Sequence, residues 1–96
     1  SLLYYEKNKI YVGKEAKQFA GHIASIKRLM GKGINDIKPF MGLLSVSLDP
    51  SSSKSIVKLS VEGRCLTPME ISADILKILK IRAENFLQQK ITKAVI

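Results

Sequence analysis

The chain has 96 residues, room for one small domain or part of one, with a core that hides only roughly 60–65% of its unfolded surface. Sixteen Lys+Arg against eight Asp+Glu give a net charge of +8, and 46% hydrophobic residues exclude a disordered tail. No apolar run reaches the roughly 20 residues of a membrane helix, no signal-peptide pattern is expected at the start, and the single cysteine, Cys65, excludes an internal disulfide framework or a multi-cysteine metal site. A reducing, cytoplasmic setting is the expectation.

Residues 2–6 read as a short strand, Lys7-Asn8-Lys9 as a turn, and residues 10–12 as the returning strand, ended by Gly13. Residues 14–20 suit a short helix with Ala16, Phe19 and Ala20 on its apolar side, broken by Gly21. Ile23, Ile26, Leu29 and Met30 recur at three- and four-residue spacing, which predicts a helix over 23–30 with Gly31 as its left-handed terminator. A second short turn, 34–38, stops before Pro39.

From Leu43 the period becomes two. Leu44, Val46 and Leu48 alternate with serines, residues 49–55 form a polar loop, and Val57, Leu59 and Val61 alternate again. Glu62-Gly63 turns into Arg64-Cys65-Leu66, so this stretch reads as a small antiparallel meander. Thr67-Pro68-Met69-Glu70 is a helix start: a capping threonine, proline at the first helical position, and a glutamate able to close a capping box. The helix is expected to run to about Gln89. Ile71, Ile75, Leu79, Arg82 and Phe86 lie on one side, flanked by Leu76, Ala83 and Leu87, and widened by Ile78 and Ile81. Such a broad apolar girth calls for two packing partners. Residues 91–96 read as a strand. Both termini run directly into apolar strand-like sequence, so an excerpt of a larger domain is expected.

The search for chemistry is mostly exclusion. Gly31-Lys32-Gly33 is followed by Asp36 where a dinucleotide fingerprint needs glycine, and no phosphate-loop motif occurs. His22 has no second ligand at metal spacing, so it reads as a hydrogen-bonding residue and no metal ligand is expected. Cys65 reads as a buried, inert thiol, and the serines of the 51–55 loop as turn chemistry. The basic residues are dispersed, the longest uninterrupted basic run being Lys27-Arg28. Dispersal favours a solvated basic surface. A stand-alone basic module that binds nucleic acid stays as the alternative, to be tested by salt-dependent binding. Lys27 and Arg28 allow two accounts. They are cations favoured at a helix C-terminus, or they are point charges for a phosphate oxygen.

Four segments carry a resemblance. Ala24-Ser25-Ile26-Lys27-Arg28-Leu29-Met30-Gly31-Lys32 resembles the K-R-L-[IM]-G-[RK] segment of DnaK-type chaperones, the seventy-kilodalton heat-shock family. Tyr11-Val12-Gly13-Lys14-Glu15-Ala16-Lys17 is similar to the family's V-G-x-x-A-K stretch, and Ile71-Ser72-Ala73-Asp74-Ile75-Leu76-Lys77 to its I-S-A-[DE]-[IV]-L-K helix. Ile91-Thr92-Lys93-Ala94-Val95-Ile96 is similar to its V-T-x-A-V-I strand. All four keep the family's order and about its spacing, while residues 39–66 match loosely.

The resemblance implies a mixed α/β fold of short antiparallel strands with one long helix, part of lobe I, mainly subdomain IB, of an actin-like ATPase. It implies that Lys27 falls on the family's catalytic cleft lysine and Arg28 on its nucleotide-facing neighbour. In the parent it implies ATP or ADP with Mg, coupling of hydrolysis to client capture, and a J-domain co-chaperone. Likeness to the HscA branch adds an iron–sulfur scaffold client. The remaining phosphate, metal and adenosine contacts and the peptide-binding domain lie outside these residues, so the chain alone is expected to hold no cofactor and to hydrolyse no ATP. Self-association through exposed strand edges is expected of it, and no contact with membranes.

Overall fold

Alternating burial starts the fold. In β1, Leu2–Glu6, Leu3 and Tyr5 point inward, while Leu2 and Tyr4 face the other side at intermediate exposure. A tight turn with Lys7 at φ 50 returns the chain as β2, Lys9–Val12, pairing Leu3 with Val12 and Tyr4 with Tyr11. The computed structural model describes residues 1–43 and 46–96; the expected strand position Leu44 and its neighbour Ser45 lie outside the described residues.

The helix expected over 14–20 is shorter: α1 spans Lys14–Lys17, with Ala16 buried, Phe19 half-buried and Ala20 exposed. The helix expected over 23–30 does not form. Ile23–Ala24 is instead a short strand, β3, antiparallel to β1, and Ile26–Leu29 is a single 3-10 turn. The physical reason is Ser25, whose left-handed backbone (φ 56, ψ 37) separates the two. A right-handed helix cannot pass through such a residue. The spacing that suggested a helix arises because Ile23 enters the core from the sheet and Ile26 and Leu29 enter it from the turn.

Next come α2, Ile34–Ile37, and a 3-10 stretch over Lys38–Leu43, which includes Pro39. Proline did not stop the coil, because near the start of a helical stretch its missing N–H leaves no bond unmade. The meander forms as β4, Ser47–Leu48, β5, Leu59–Val61, and β6, Arg64–Leu66, in the order β4-β5-β6. Glu62 and Gly63, at φ 52 and φ 72, make its tight turn. Cys65 is exposed rather than buried. The register pairs Leu59 with Leu66, so Leu66 takes the inward position and Cys65 the outward one on an edge strand.

The long helix α3, Pro68–Leu87, begins with the expected box: Thr67 Oγ1 accepts from the Glu70 amide at 3.2 Å, and the Thr67 amide donates to Glu70 Oε1 at 3.0 Å. Those bonds hold the Glu70 carboxyl below its ordinary value, the Thr67 amide contributing most. Gln88, left-handed at φ 55, ends the helix two residues earlier than expected. Ile71 and Ile75 are buried in one core cluster with residues of both sheets, whereas Leu76, Leu79, Ile81 and Phe86 stay exposed. Among the described residues only one flank of the helix is covered, where packing on two sides was expected. Residues 91–96 form no strand. The chain turns back along α3 instead, with the Ile91 amide donating to Glu84 Oε2 at 3.0 Å. None of the described strands lies beside this segment to complete a ladder.

Two long-range bonds tie α3 to the first hairpin. Arg82 Nη2 donates to the Val12 carbonyl at 3.0 Å, and Tyr5 donates its hydroxyl to Asp74 Oδ2 at 2.6 Å. Among the described residues the fold is mixed α/β, two three-stranded antiparallel sheets closed by one face of a long helix.

Candidate functional site

The 3-10 turn is built by hydrophobic anchoring at one edge and solvation at the other. In a 3-10 turn residues three apart eclipse, so Ile26 and Leu29 point the same way, at 3% and 6% exposure. Lys27 and Arg28, between them, are exposed. Backbone bonds brace the turn: the Arg28 amide donates to the Ser25 carbonyl at 3.0 Å and the Met30 amide to the Lys27 carbonyl at 3.3 Å. Gly31 then adopts φ 71, a backbone that L side chains resist. The expected terminator is therefore present, ending a 3-10 turn rather than an α-helix.

Both sides of the turn are tied to the rest of the fold. It packs against α3, and Ser72 Oγ donates to Met30 Sδ at 3.2 Å. On the exit side the Val57 amide donates to the Lys32 carbonyl at 3.1 Å, and the Ile34 amide to the Ser53 carbonyl at 2.9 Å. Gly33 permits this close approach: a Cβ there would lie 1.6 Å from the Lys54 carbonyl oxygen. Beside the turn lies an apolar cavity of about 320 Å³, lined by Leu29, Met30, Lys32, Ile56, Pro68 and Met69 among others. Its lining does not include Lys27 or Arg28. The structure thus brings the two sequence-predicted residues together as neighbouring solvated cations on an anchored turn.

The other candidates take structural roles. His22 Nδ1 lies 2.8 Å from the Phe19 carbonyl oxygen. Ser52 Oγ accepts from the Lys58 amide at 2.9 Å and Ser53 Oγ from the Ile56 amide at 3.1 Å, so these serines shape the loop. Ser51 bonds to Asp49 through hydroxyl and amide, which lowers the Asp49 carboxyl, the hydroxyl contributing most. Among the described residues no group of three or more His, Cys, Asp and Glu could hold a metal ion. None of the described helices is long and apolar enough to cross a membrane.

The sequence reading missed an aromatic cluster. Tyr4 stacks on Phe19 with ring centroids 4.4 Å apart and an interplanar angle of 6°, Tyr11 tilts against Phe19 at 4.7 Å, and Lys9 Nζ lies 4.7 Å from the Tyr11 centroid. The hairpin register was the available signal, since it sets Tyr4 opposite Tyr11. It also missed the left-handed Ser25, which has no local sequence signature.

The profile of the family described as Hsp70 protein matches residues 1–96. The chain belongs to the Hsp70 family. It is 35% identical to a chaperone protein HscA homolog of Pseudoalteromonas atlantica over 100% of the chain, and 39% identical to chaperone protein DnaK of Carsonella ruddii over 97% of it. An HscA homolog of Acinetobacter baumannii is 38% identical, again over 100% of the chain. The chain spans 16% of the length of each of these relatives. The Hsp70 match covers the Lys27-Arg28 turn and the helix carrying Ile71 and Ile75 alike. The comparisons lend no support to a stand-alone nucleic-acid-binding module.

Proposed function

We propose that residues 1–96 are one part of the nucleotide-binding domain of a longer Hsp70 chaperone, belonging to lobe I, mainly subdomain IB, of an actin-like ATPase fold. The observation that carries the reading is a Lys-Arg pair held solvated on a turn whose other two residues are locked in the core, within a chain matched over its full length by the family. Lys27 is the catalytic residue of this reading, and Arg28 the nucleotide-binding one.

The chemistry follows from charge. ATP with Mg supplies the phosphoryl group that is transferred to water. Two adjacent exposed cations fit an anionic phosphate, and the Lys27 ammonium offsets negative charge as it builds on the phosphoryl oxygens. The braced backbone lowers the reorganisation needed to keep that charge in place. Mg is bound through one or two carboxylates together with substrate phosphates and waters, and this reading assigns those carboxylates to other parts of the longer chaperone. Relatives named HscA homolog support placing the parent in the HscA branch, and this reading gives it a role in iron–sulfur cluster assembly with a J-domain co-chaperone, a scaffold client and a cytoplasmic setting.

The test is single-turnover ATP hydrolysis by the full-length protein. Lys27→Ala is expected to slow it about a hundredfold, with nucleotide affinity largely kept. Unchanged hydrolysis removes the assignment. Residues 1–96 alone are expected to hydrolyse no ATP, and activity above a Lys27→Ala control would overturn the expectation that the rest of the site lies in other parts of the longer chaperone.

A further inference from the structure

We infer that Ser25 is a positioning residue for Lys27, acting through its backbone conformation rather than its hydroxyl. The inference rests on the reading of Lys27 given above. Among the described residues, four non-glycine residues have positive φ: Lys7, Ser25, Glu62 and Gln88. Lys7 and Glu62 occupy hairpin turns and Gln88 ends α3, all places where a left-handed residue is ordinary. Ser25 has no such setting. It stands between β3 and the 3-10 turn, two residues before the lysine.

Its side chain makes no capping hydrogen bond to the turn it precedes. The conformation is therefore held from both sides by other contacts. On one side Ile23 is paired with Leu3 and buried; on the other Ile26 and Leu29 are buried and the Arg28 amide bonds to the Ser25 carbonyl at 3.0 Å. The left-handed step reverses the chain between these anchors. With it, Ile26 enters the core and Lys27 leaves toward solvent. With an extended or right-handed residue, the same anchors could not both be kept, and Lys27 would lose its direction. Strain retained beside a functional side chain is a recurring means of setting its direction.

The experiment compares Ser25→Gly, Ser25→Asn, Ser25→Ala and Ser25→Val in the full-length protein, with Lys27→Ala in parallel. Single-turnover ATP hydrolysis, nucleotide Kd and melting temperature are read for each. Turnover is expected to follow tolerance of the left-handed region. Gly and Asn keep it within about twofold, Ala lowers it ~5-fold and Val ~10-fold or more, from the left-handed preference of each residue. Kd, to which Arg28 on the same turn contributes, is expected to change less than turnover at each substitution, a split that general loss of structure would not produce. If the Val variant fails to fold, the comparison of Gly and Asn with Ala decides. Equal turnover across the series overturns the inference, as does a loss that appears in Kd or follows melting temperature instead. A slowed Lys27→Ala beside a flat Ser25 series sinks the Ser25 inference alone; normal hydrolysis by Lys27→Ala sinks the reading beneath it.

Discussion

Tyr5 and Asp74, 69 positions apart in the sequence, are joined by a 2.6 Å hydrogen bond that pins the first hairpin to the second turn of α3. Tyr5 is nearly buried, and burial, followed by the bond to Asp74, raises its hydroxyl above the ordinary value of 10.0. A group raised in the folded state contributes stability below its unfolded value and loses it as pH rises through the folded one. Stability is therefore expected to decline above about pH 10. Tyr5→Phe should cost about 1–2 kcal/mol at pH 7, by leaving the Asp74 carboxylate without its donor, and should flatten the alkaline decline. Urea unfolding across pH 7–11 checks both.

The N-terminus of α3 responds at the acid end. Glu70 is held below its ordinary value of 4.5 by the Thr67 amide and hydroxyl. A depressed carboxyl stabilises above its unfolded value and ceases to as pH falls through the folded one. Thr67→Ala is expected to cost about 1 kcal/mol at neutral pH, and NMR titration of that variant should show Glu70 moved only part of the way back, because the Thr67 amide, the larger contributor, remains. An unchanged Glu70 titration would mean that the Thr67 hydroxyl makes no bond to Glu70 in solution.

Gly33 and Gly31 separate close approach from backbone strain. A Cβ on Gly33 would meet the Lys54 carbonyl, so Gly33→Ala is expected to cost about 3 kcal/mol, the upper range for overpacking. Gly31, at φ 71, has open space around it, and Gly31→Ala should cost only about 1 kcal/mol of conformational strain. Equilibrium unfolding of the two variants gives the order.

The two flanks of α3 should behave unlike each other. Ile71 is fully buried and Phe86 is 87% exposed. Ile71→Ala is expected to cost about 3 kcal/mol, and Phe86→Ala to stay within about 0.5 kcal/mol. Comparable losses, measured by denaturant melts, would mean that the exposed flank is covered in solution.

Local features were legible because their causes are local. The capping box of Thr67 and Glu70 lies within four residues, and the hairpin 2–12 follows from alternation around one turn. Segment 23–30 was not, because two unlike elements delivered apolar residues to one core at a helix-like spacing. The exposure of Cys65 was readable in principle. A two-residue turn at Glu62 and Gly63 pairs Ser60 with Cys65, and Ser60 faces outward.

The order of residues alone determined the long helix, its start, the turns at glycines and the family to which the chain belongs. Each depends on contacts between near neighbours or on motifs that survive in a linear string. Tertiary structure decided which flank of α3 is covered, that residues 91–96 do not pair, and that Ser25 turns left-handed so that Lys27 faces water. Those outcomes depend on what lies opposite a segment in space, and a chain's own periodicity does not encode its distant neighbours.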